Sequence, residues 1–311
     1  MGKFDLPEIQ DCMYYNNGTF IPLDEMTYQK IQDLCINIKR ARNSRFIFRA
    51  DSHVNETYDS DYASSTLANR IFMVGVKGNI FFNTYDSTNV DLYNHGIDLF
   101  RRIQNSLYVN NGTLNFQRRM QSFIRRCPAF VAFFGDNANM DKFANAFRAR
   151  SKWLVNDYYE AFLHSIYRNG YNNALSQFVS TSSDIRIARN FQNGGILMVG
   201  WLRLSGIISY HDLNKRDSRI ERLGLPVYDK SVFYNQQEFC LKYGILPHVI
   251  IGYFYNDNFI VNHHLIEDLQ NRQISDIISG GCRIDQKDFL QILRETRYRR
   301  GYNLTTHQFI S

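Results

Sequence analysis

The sequence has no long apolar run, and this absence excludes a membrane-spanning helix from the expected architecture. Its longest apolar stretches, at 128–134 and 196–202, are much shorter than the roughly 18 residues that cross a bilayer. The first residues, Met1 to Asp5, also lack the basic and then apolar pattern of a secretory signal. We therefore expect no membrane partner and a cytoplasmic location.

Cysteine is scarce, and its spacing argues against two kinds of stabilising site. The five cysteines are an odd number, lie far apart and include no C-x-x-C pair. Neither a disulfide framework nor a zinc site is therefore expected, and the thiols are predicted to be reduced and buried. Internal repeats and low-complexity tracts are absent too. With 311 residues and a hydrophobic composition of 44%, the chain is predicted to fold around a substantial core.

The net charge of +6 is concentrated in one segment. Residues 101–152 carry ten basic and two acidic side chains, a net charge of +8, so the rest of the chain is slightly acidic. Three Arg-Arg pairs are interleaved here with phenylalanines, and Trp153 follows directly, a composition that suits a polyanion such as nucleic acid. The alternative is an ordinary solvated helix face. The residues predicted to contact a polyanion are Arg118, Arg119, Arg125 and Arg126.

Apolar periodicity separates a helical block from strand-rich parts. Residues 24–42 are predicted to form an amphipathic helix whose basic end complements the helix dipole. Residues 97–175 are predicted to be helical, with breaks at Asn-Gly pairs and at Pro128. A polar loop is expected at 212–230 and a basic helical tail at about 260–311. Strands are predicted at 45–48, 71–82, 177–180, 196–204, 206–210 and 248–255.

Two short motifs contain side chains suited to holding one carboxylate. Residues 178–182 end an apolar strand with Ser-Thr-Ser, and Glu238 follows two glutamines among aromatic residues. Serine and threonine lose little side-chain entropy when fixed, and their hydroxyls can keep a nearby carboxylate ionised. The alternative for Ser-Thr-Ser is helix capping, because Ser183 and Asp184 precede a helical pattern. Arg49, after another short strand, suits either bidentate phosphate binding or an ordinary surface ion pair.

The order of these motifs resembles that of a known enzyme family. Phe-Arg-Ala-Asp-Ser at 48–52 is followed by Asp-Leu-Tyr-Asn-His at 91–95, Phe-Val-Ser-Thr-Ser at 178–182 and Gln-Gln-Glu at 236–238. This order is similar to that of the mono-ADP-ribosyltransferases of the arginine, Ser-Thr-Ser and glutamate clade. Within the clade it looks like the catalytic subunits of cholera-like and pertussis-like toxins. The resemblance covers roughly residues 45–95 and 176–255, under half of the chain.

The resemblance implies that NAD is a substrate, implies no metal, and assigns roles to individual residues. Glu238 would bind a ribose hydroxyl and stabilise the oxocarbenium-like cation that forms when the nicotinamide–ribose bond breaks. Ser180 would orient Glu238, and Arg49 would hold the phosphates of NAD. The other cofactor-binding residues that the resemblance implies are His95, Thr181 and Ser182.

One departure from the family concerns the acceptor of the ADP-ribose. Gln236 stands where family members that modify arginine carry a second glutamate, which helps deprotonate a guanidinium whose pKa exceeds about 12. An amide cannot do this, so an acceptor other than arginine is expected. Gln236 is predicted to be a residue of the catalytic site that lies next to this acceptor. Phe233 and Tyr234, just before Gln236, are predicted to bind the acceptor by stacking on a base.

These features favour an NAD-dependent ADP-ribosyltransferase toxin that modifies a nucleobase in nucleic acid, RNA before DNA. An effector that modifies a protein side chain, and a catalytically idle nucleic-acid-binding module, are the alternatives. Because such an activity endangers the cell that makes it, a neutralising antitoxin protein is a further expected partner.

The implied fold is α+β, with an ADP-ribosyltransferase-like core of two packed, mainly antiparallel β-sheets and flanking helices. One domain is expected over residues 1–311. It would contain a basic helical insertion at about 97–175, much longer than the matching stretch of the toxin subunits.

Overall fold

A computed structural model describes most of the chain. The described residues are 4–51, 71–72, 75–77, 91–108, 113–148, 152–166, 178–193, 195–203, 210–213, 215–242, 244–280, 301–303 and 308–310. Where one domain was predicted, the chain divides into two compact units. The first unit comprises Met1–Lys77, Thr181–Tyr210 and Tyr243–Ser311, and the second comprises Gly78–Ser180 and His211–Lys242.

Strands and helices both contribute throughout the described chain. The strands are β1 (Cys12–Asn16), β2 (Thr19–Pro22), β3 (Ser44–Asp51), β4 (Val76–Lys77), β5 (Phe178–Ser182), β6 (Ile196–Arg203), β7 (Tyr210–Asp212), β8 (Glu238–Lys242), β9 (Gly244–Ile245), β10 (Ile250–Tyr255), β11 (Asn258–Val261), β12 (Gly301–Asn303) and β13 (Gln308–Ile310). The helices are α1 (Glu25–Arg40), α2 (Leu92–Tyr108), α3 (Leu114–Arg126), α4 (Pro128–Gly135), α5 (Met140–Asn145), α6 (Lys152–Ile166), α7 (Ile185–Arg189), α8 (Ser218–Arg222), α9 (His263–Asn271) and α10 (Ile274–Gly280).

The fold is α+β, as predicted, but the strands are arranged differently from the expectation of two packed sheets. Nine of the described strands form one mixed sheet in the order β2-β1-β11-β10-β6-β3-β5-β8-β7. β1 and β11 run parallel, whereas β6 is antiparallel to both β3 and β10. The pairs β4-β9 and β12-β13 form separate two-stranded sheets.

β6 is the central strand of the first unit, and both of its faces are apolar. Every residue from Ile196 to Leu202 is buried, as a continuous apolar run predicts for a strand that is covered on both sides. β3 pairs with β6 along its full length, from Ser44 opposite Arg203 to Asp51 opposite Ile196. This register places Arg49 opposite Met198.

α1 confirms the amphipathic helix predicted at 24–42. The Asp24 side chain caps it by accepting a hydrogen bond from the Thr27 backbone N–H at 2.8 Å. Ile31, Leu34 and Cys35 lie on its buried face, and burial raises the pKa of the Cys35 thiol to about 12. The four described cysteines are all buried and free, as the sequence predicted.

The second unit is built around an aromatic core enclosed by α2 to α6. Helices over 92–166 agree with the predicted helical block in the part of it that is described. Several ring pairs of the core meet edge to face, for example Phe143 and Tyr159 with a centroid separation of 4.9 Å, and such pairs add to the gain from burying the rings. Its fully buried phenylalanines are Phe100, Phe123, Phe130, Phe134, Phe143, Phe147 and Phe162.

One local prediction was wrong, and a second holds in part. The loop predicted at 212–230 contains α8, because Asp217 caps the helix at the Arg219 N–H and Ile220 is buried beneath it. The tail predicted to be helical at about 260–311 contains the helices α9 and α10, but β12 pairs with β13 near its end. Of the strand predicted at 71–82, only 71–72 and 75–77 are described, with Val76–Lys77 forming β4, and most of the strand predicted at 206–210 lies outside the described residues. None of the described helices has the length and apolar character needed to cross a bilayer.

Candidate active site

Ser180 lies in β5 and contacts a histidine that no motif had marked. Its neighbours Val179 and Thr181 are buried, whereas Ser180 itself is half-buried. The hydroxyl of Ser180 is 2.7 Å from Nε2 of His164, which is half-buried on α6. Both residues belong to the second unit. The Ser180 side chain therefore points to the helical block and not to the helix that follows β5.

Glu238 is the first residue of β8 and is almost completely buried, with 1% of its surface exposed. Gln237 before it has a φ of 45°, a left-handed conformation that ends the preceding 3-10 turn over Tyr234–Gln236. The Glu238 carbonyl accepts a hydrogen bond from the Leu213 N–H at 3.1 Å, which ties this end of β8 to the chain after β7. The Cys240 thiol donates to Oε1 of Glu238 at 3.6 Å.

His164 brings Ser180 and Glu238 into one cluster. One donor atom each from His164, Glu238 and Cys240 lies within 4.8 Å of the others, and Ser180 is hydrogen-bonded to the same histidine. β5 and β8, which carry Ser180 and Glu238, are neighbours in the sheet. The structure thus unites the serine and the glutamate that the motifs predicted, although they are far apart in the sequence. The resulting cluster combines a carboxylate, an imidazole, a hydroxyl and a thiol.

His95 lies in a buried polar network of the second unit. Its Nε2 is 2.8 Å from Oδ1 of Asn156, whose amide donates to Asp157 at 3.3 Å. Asp157 in turn forms an ion pair with Lys242 at 3.0 Å, and both side chains are at least 90% buried. Since Lys242 ends β8, the network connects α2 and α6 with the strand that begins at Glu238. The role of His95 in binding NAD stays a prediction.

Three of the predicted cofactor-binding residues belong to the first unit: Arg49, Thr181 and Ser182. Arg49 is half-buried on β3, and the adjacent Phe48 pairs with Ser182. The Ser182 hydroxyl accepts a hydrogen bond from the Asp184 N–H at 3.1 Å, and Asp184 caps α7 through the Arg186 N–H at 2.9 Å. The N-cap of α7 is therefore Asp184 and not a member of Ser-Thr-Ser, whose last hydroxyl bonds the backbone of that capping residue, while Ser180 has a different partner.

α3 contacts the loop at 230–236 that leads to Glu238. The guanidinium of Arg126 donates to the carbonyls of Lys230 and Ser231 at 3.3 and 3.2 Å, and it lies 4.8 Å from the ring centroid of Tyr234. Arg119 donates to Oδ1 of Asn235 at 2.8 Å and lies 5.5 Å from the ring centroid of Phe233. The predicted acceptor residues thus meet in two pairs, Arg119 with Phe233 and Arg126 with Tyr234.

The arginines of α3 divide into two pairs with different surroundings. Arg119 and Arg126 face the loop at 230–236, whereas Arg118 and Arg125 are exposed. Residues seven positions apart lie on the same face of a helix, so Arg119 shares a face with Arg126, and Arg118 shares a face with Arg125. Elsewhere in the basic segment, Arg102 forms a two-point ion pair with Glu160 at 2.7 and 3.3 Å. The exposed positive charge of the segment is therefore smaller than its sequence implies.

Gln236 is half-buried at the end of the 3-10 turn before Glu238. Its N–H donates to the carbonyl of Phe233 at 2.9 Å. The predicted acceptor residues Phe233, Tyr234 and Gln236 therefore form one turn, immediately before the buried carboxylate.

Burial also changes the titration of groups in the second unit. His211 is fully enclosed next to the rings of Tyr158 and Phe178, and burial lowers its pKa to about 4. Burial raises the pKa of Tyr158 and Tyr228, so both phenols stay protonated across the physiological range.

Comparisons of this chain with protein-family models, curated proteins and solved structures find no match. Functional inference therefore rests on the chemistry of the cluster. A buried carboxylate with hydrogen-bonding neighbours can stabilise a cation that forms beside it.

Proposed function

We propose that the second unit holds the catalytic carboxylate of an NAD-dependent ADP-ribosyltransferase. The observation that carries the proposal is the meeting of Ser180 and Glu238 around His164. The sequence motifs alone had predicted that this serine and this glutamate belong to one site. We also propose that the mixed sheet is the core of an ADP-ribosyltransferase-like fold. We propose further that the protein is a toxin.

In the proposed reaction the bond between nicotinamide and ribose breaks, and its electron pair leaves with nicotinamide. The cation that remains on the ribose is stabilised by the carboxylate of Glu238, and Ser180 and His164 hold that side of the site in place. A nucleophile on the acceptor then forms a bond to the same ribose carbon and loses a proton. The roles in NAD binding that the resemblance implies for Arg49, His95, Thr181 and Ser182 belong to the same proposal.

We propose further that the acceptor is nucleic acid, RNA before DNA. Tyr234 is 42% exposed, and the cationic groups of Arg126 and Lys230 lie 4.8 and 5.5 Å from its ring centroid. Such an aromatic ring flanked by positive charges suits a stacked base and its phosphate. The same loop ends at Glu238, so a base bound there approaches the carboxylate. A neutralising antitoxin would bind this surface or the NAD site.

The test incubates the protein with NAD labelled in its adenylate part and with separate pools of RNA, DNA and protein. We expect label to enter RNA most readily, and Glu238→Gln to abolish it. Label that appears only in protein would support the effector alternative. If no pool becomes labelled and no nicotinamide is released, the transferase proposal is wrong.

A second candidate function is favoured by the contact between Ser180 and His164. A serine hydroxyl 2.7 Å from an imidazole nitrogen is also the arrangement of a nucleophilic serine and its base. A fluorophosphonate probe distinguishes the two functions, because it labels an activated serine covalently. Labelling of the wild type that is lost in Ser180→Ala would support a hydrolase, whereas absence of labelling together with nicotinamide release supports the transferase.

A further inference from the structure

His164, Glu238 and Cys240 form a cluster whose donor types match those of a zinc site. Imidazole nitrogen, carboxylate oxygen and thiolate sulfur are the three kinds of ligand that bind Zn²⁺ in proteins. Within the described part of the chain, this is the one group of three such side chains whose donor atoms lie close together, all within 4.8 Å. The spacing of the sequence predicted no zinc site, because the donors come from α6 and β8.

The separation of two donors already fits a bound zinc ion. Sγ of Cys240 is 3.6 Å from Oε1 of Glu238. A tetrahedral site with a zinc–sulfur distance of about 2.3 Å and a zinc–oxygen distance of about 2.1 Å places these two atoms about 3.6 Å apart. No movement of β8 is needed to make this edge of the tetrahedron.

Regular elements hold the three donors in place. Glu238 and Cys240 are two positions apart on β8, so their side chains project from the same face of the strand. Both side chains are buried, with 1% and 0% of their surface exposed, and His164 approaches from α6. Donors on strands and helices are placed more accurately than donors on loops, which favours metal binding.

Ser180 completes the arrangement as a partner of the histidine. A metal-bound histidine donates its second ring N–H to a neighbouring acceptor, which fixes the orientation of the ring. The Ser180 hydroxyl, 2.7 Å from Nε2, can accept that hydrogen bond and leave Nδ1 for the metal. Three protein ligands leave a fourth position of a tetrahedral ion for water.

We propose that His164, Glu238 and Cys240 bind one Zn²⁺ ion. Binding converts the Cys240 thiol to a thiolate, and its proton passes to the solvent. The ion would neutralise the carboxylate that the proposed reaction needs, so zinc would inhibit ADP-ribosyl transfer reversibly. This consequence rests on the proposed function, whereas zinc binding itself does not.

The test of the site uses cobalt as a spectroscopic probe. The 311-residue chain is freed of metal with a chelator and titrated with Co²⁺, which gives a thiolate-to-cobalt charge-transfer band in the near ultraviolet when a cysteine binds it. We expect this band in the wild type, its displacement by about one equivalent of Zn²⁺, and its loss in Cys240→Ser. Zn²⁺ affinity should fall more than about a hundredfold in Cys240→Ser. Even the loss of a residue that only hydrogen-bonds to a metal ligand lowers metal affinity ~10–100-fold, and Cys240 is itself a ligand in the proposed site.

Cys127→Ser is the matched control, because Cys127 is another buried thiol of the second unit and is not part of the cluster. It should keep the band. His164→Gln reduces Zn²⁺ affinity without touching the thiol, and circular dichroism verifies that each variant is folded. A folded wild type without the band, or a band that survives in Cys240→Ser, overturns the site.

Activity measurements separate the two proposals. Inhibition by Zn²⁺ that a chelator reverses is expected in the wild type, and Cys240→Ser should resist it relative to its own metal-free rate. Zinc binding without any nicotinamide release would refute the transferase and leave the zinc site standing. Nicotinamide release without metal binding would refute the site and leave the transferase standing.

Discussion

Glu238 is the residue on which the proposed chemistry depends most. Glu238→Gln keeps the shape of the side chain but removes its charge, so the ribosyl cation loses its nearest counter-charge. We expect nicotinamide release to fall by at least about a hundredfold, because one electrostatic group of this kind is worth ~10²–10³ in rate. Single-turnover measurement of nicotinamide release from NAD tests this.

Glu221→Gln provides the matched control for that prediction. Glu221 is an exposed glutamate of the same unit that is paired with Arg216, and exposed ion pairs contribute little to stability. Its substitution should leave nicotinamide release unchanged. Full activity in Glu238→Gln would exclude a catalytic role for this carboxylate.

Arg49 tests the resemblance in the other unit. Arg49→Lys keeps the positive charge on β3 but loses the planar, two-point donor that matches a phosphate. NAD affinity should therefore fall at least about tenfold, the equivalent of one lost charge-assisted hydrogen bond of ~1.5 kcal/mol. Calorimetric titration with NAD measures it, and an unchanged affinity would make Arg49 a structural residue of β3.

The residues of the candidate site differ in how far the sequence could reveal them. Ser180 and Glu238 were predicted because each stands in a short motif, and the structure places both around His164. His164 and Cys240 carry no motif. His164 lies on a helix with an apolar pattern, and Cys240 looked like any buried thiol, so only their position in space reveals their partners.

At the scale of elements, the docking of α3 on the loop at 230–236 is the feature with the clearest consequence. The fork of Arg126 holds two carbonyls of this loop and covers Tyr234. Arg126→Lys keeps the charge but cannot span both carbonyls. We expect kcat/KM for transfer to RNA to fall at least about tenfold, since hydrogen bonds from a charged group are worth ~1.5–3 kcal/mol.

Hydrolysis of NAD alone should change little in Arg126→Lys, because it needs no acceptor. Arg125→Lys is the control, since Arg125 is the exposed neighbour and contacts its own helix at the Gln121 carbonyl. Equal losses in both variants, or an equal loss of NAD hydrolysis, would contradict a role of this loop in acceptor binding.

Elements were predictable from the sequence where the signal was local. The pattern of α1 and the apolar run of β6 predicted both elements. The helix α8 was missed, because one capping aspartate and one buried isoleucine are too weak a signal within a polar stretch. The pairing of β5 and β8, which unites Ser180 with Glu238, depends on contacts between distant parts of the chain and has no local signature.

At the scale of the whole molecule, the net charge of +6 predicts that affinity for RNA falls as the salt concentration rises. Arg118 and Arg125 are exposed, so Arg118→Gln with Arg125→Gln removes charge and leaves the contacts of Arg119 and Arg126 intact. The slope of log affinity for single-stranded RNA against log salt should become shallower by about 1.4, or ~0.7 for each phosphate contact. Fluorescence anisotropy between low and physiological salt measures the slope.

The control removes two exposed charges from the first unit, with Arg40→Gln and Arg42→Gln. It separates local phosphate contacts from the effect of total charge. If both double variants shift the slope equally, the surface of α3 is an ordinary solvated helix face, which is the alternative that the sequence left open.

Stability of the molecule should depend on pH through His211. The imidazole is buried, its Nε2 has no hydrogen-bond partner among the described residues, and burial lowers its pKa to about 4. Nearby Asp157 and Asp217 oppose this shift, whereas Arg219 and Lys242 add to it. In the unfolded chain the same side chain has an ordinary pKa of about 6.5.

Between these two values the unfolded chain binds a proton that the folded protein does not, so acid favours unfolding. The free energy of unfolding should therefore fall as the pH drops from about 6.5 to about 4, by up to about 3 kcal/mol from this residue. His211→Phe removes the titration and suits the neighbouring rings of Tyr158 and Phe178. Urea unfolding at several pH values should show a clearly shallower dependence in this variant. His263, whose pKa burial also lowers to about 4, is present in both proteins and cancels from the comparison. Parallel curves would therefore show that folding does not lower the pKa of His211.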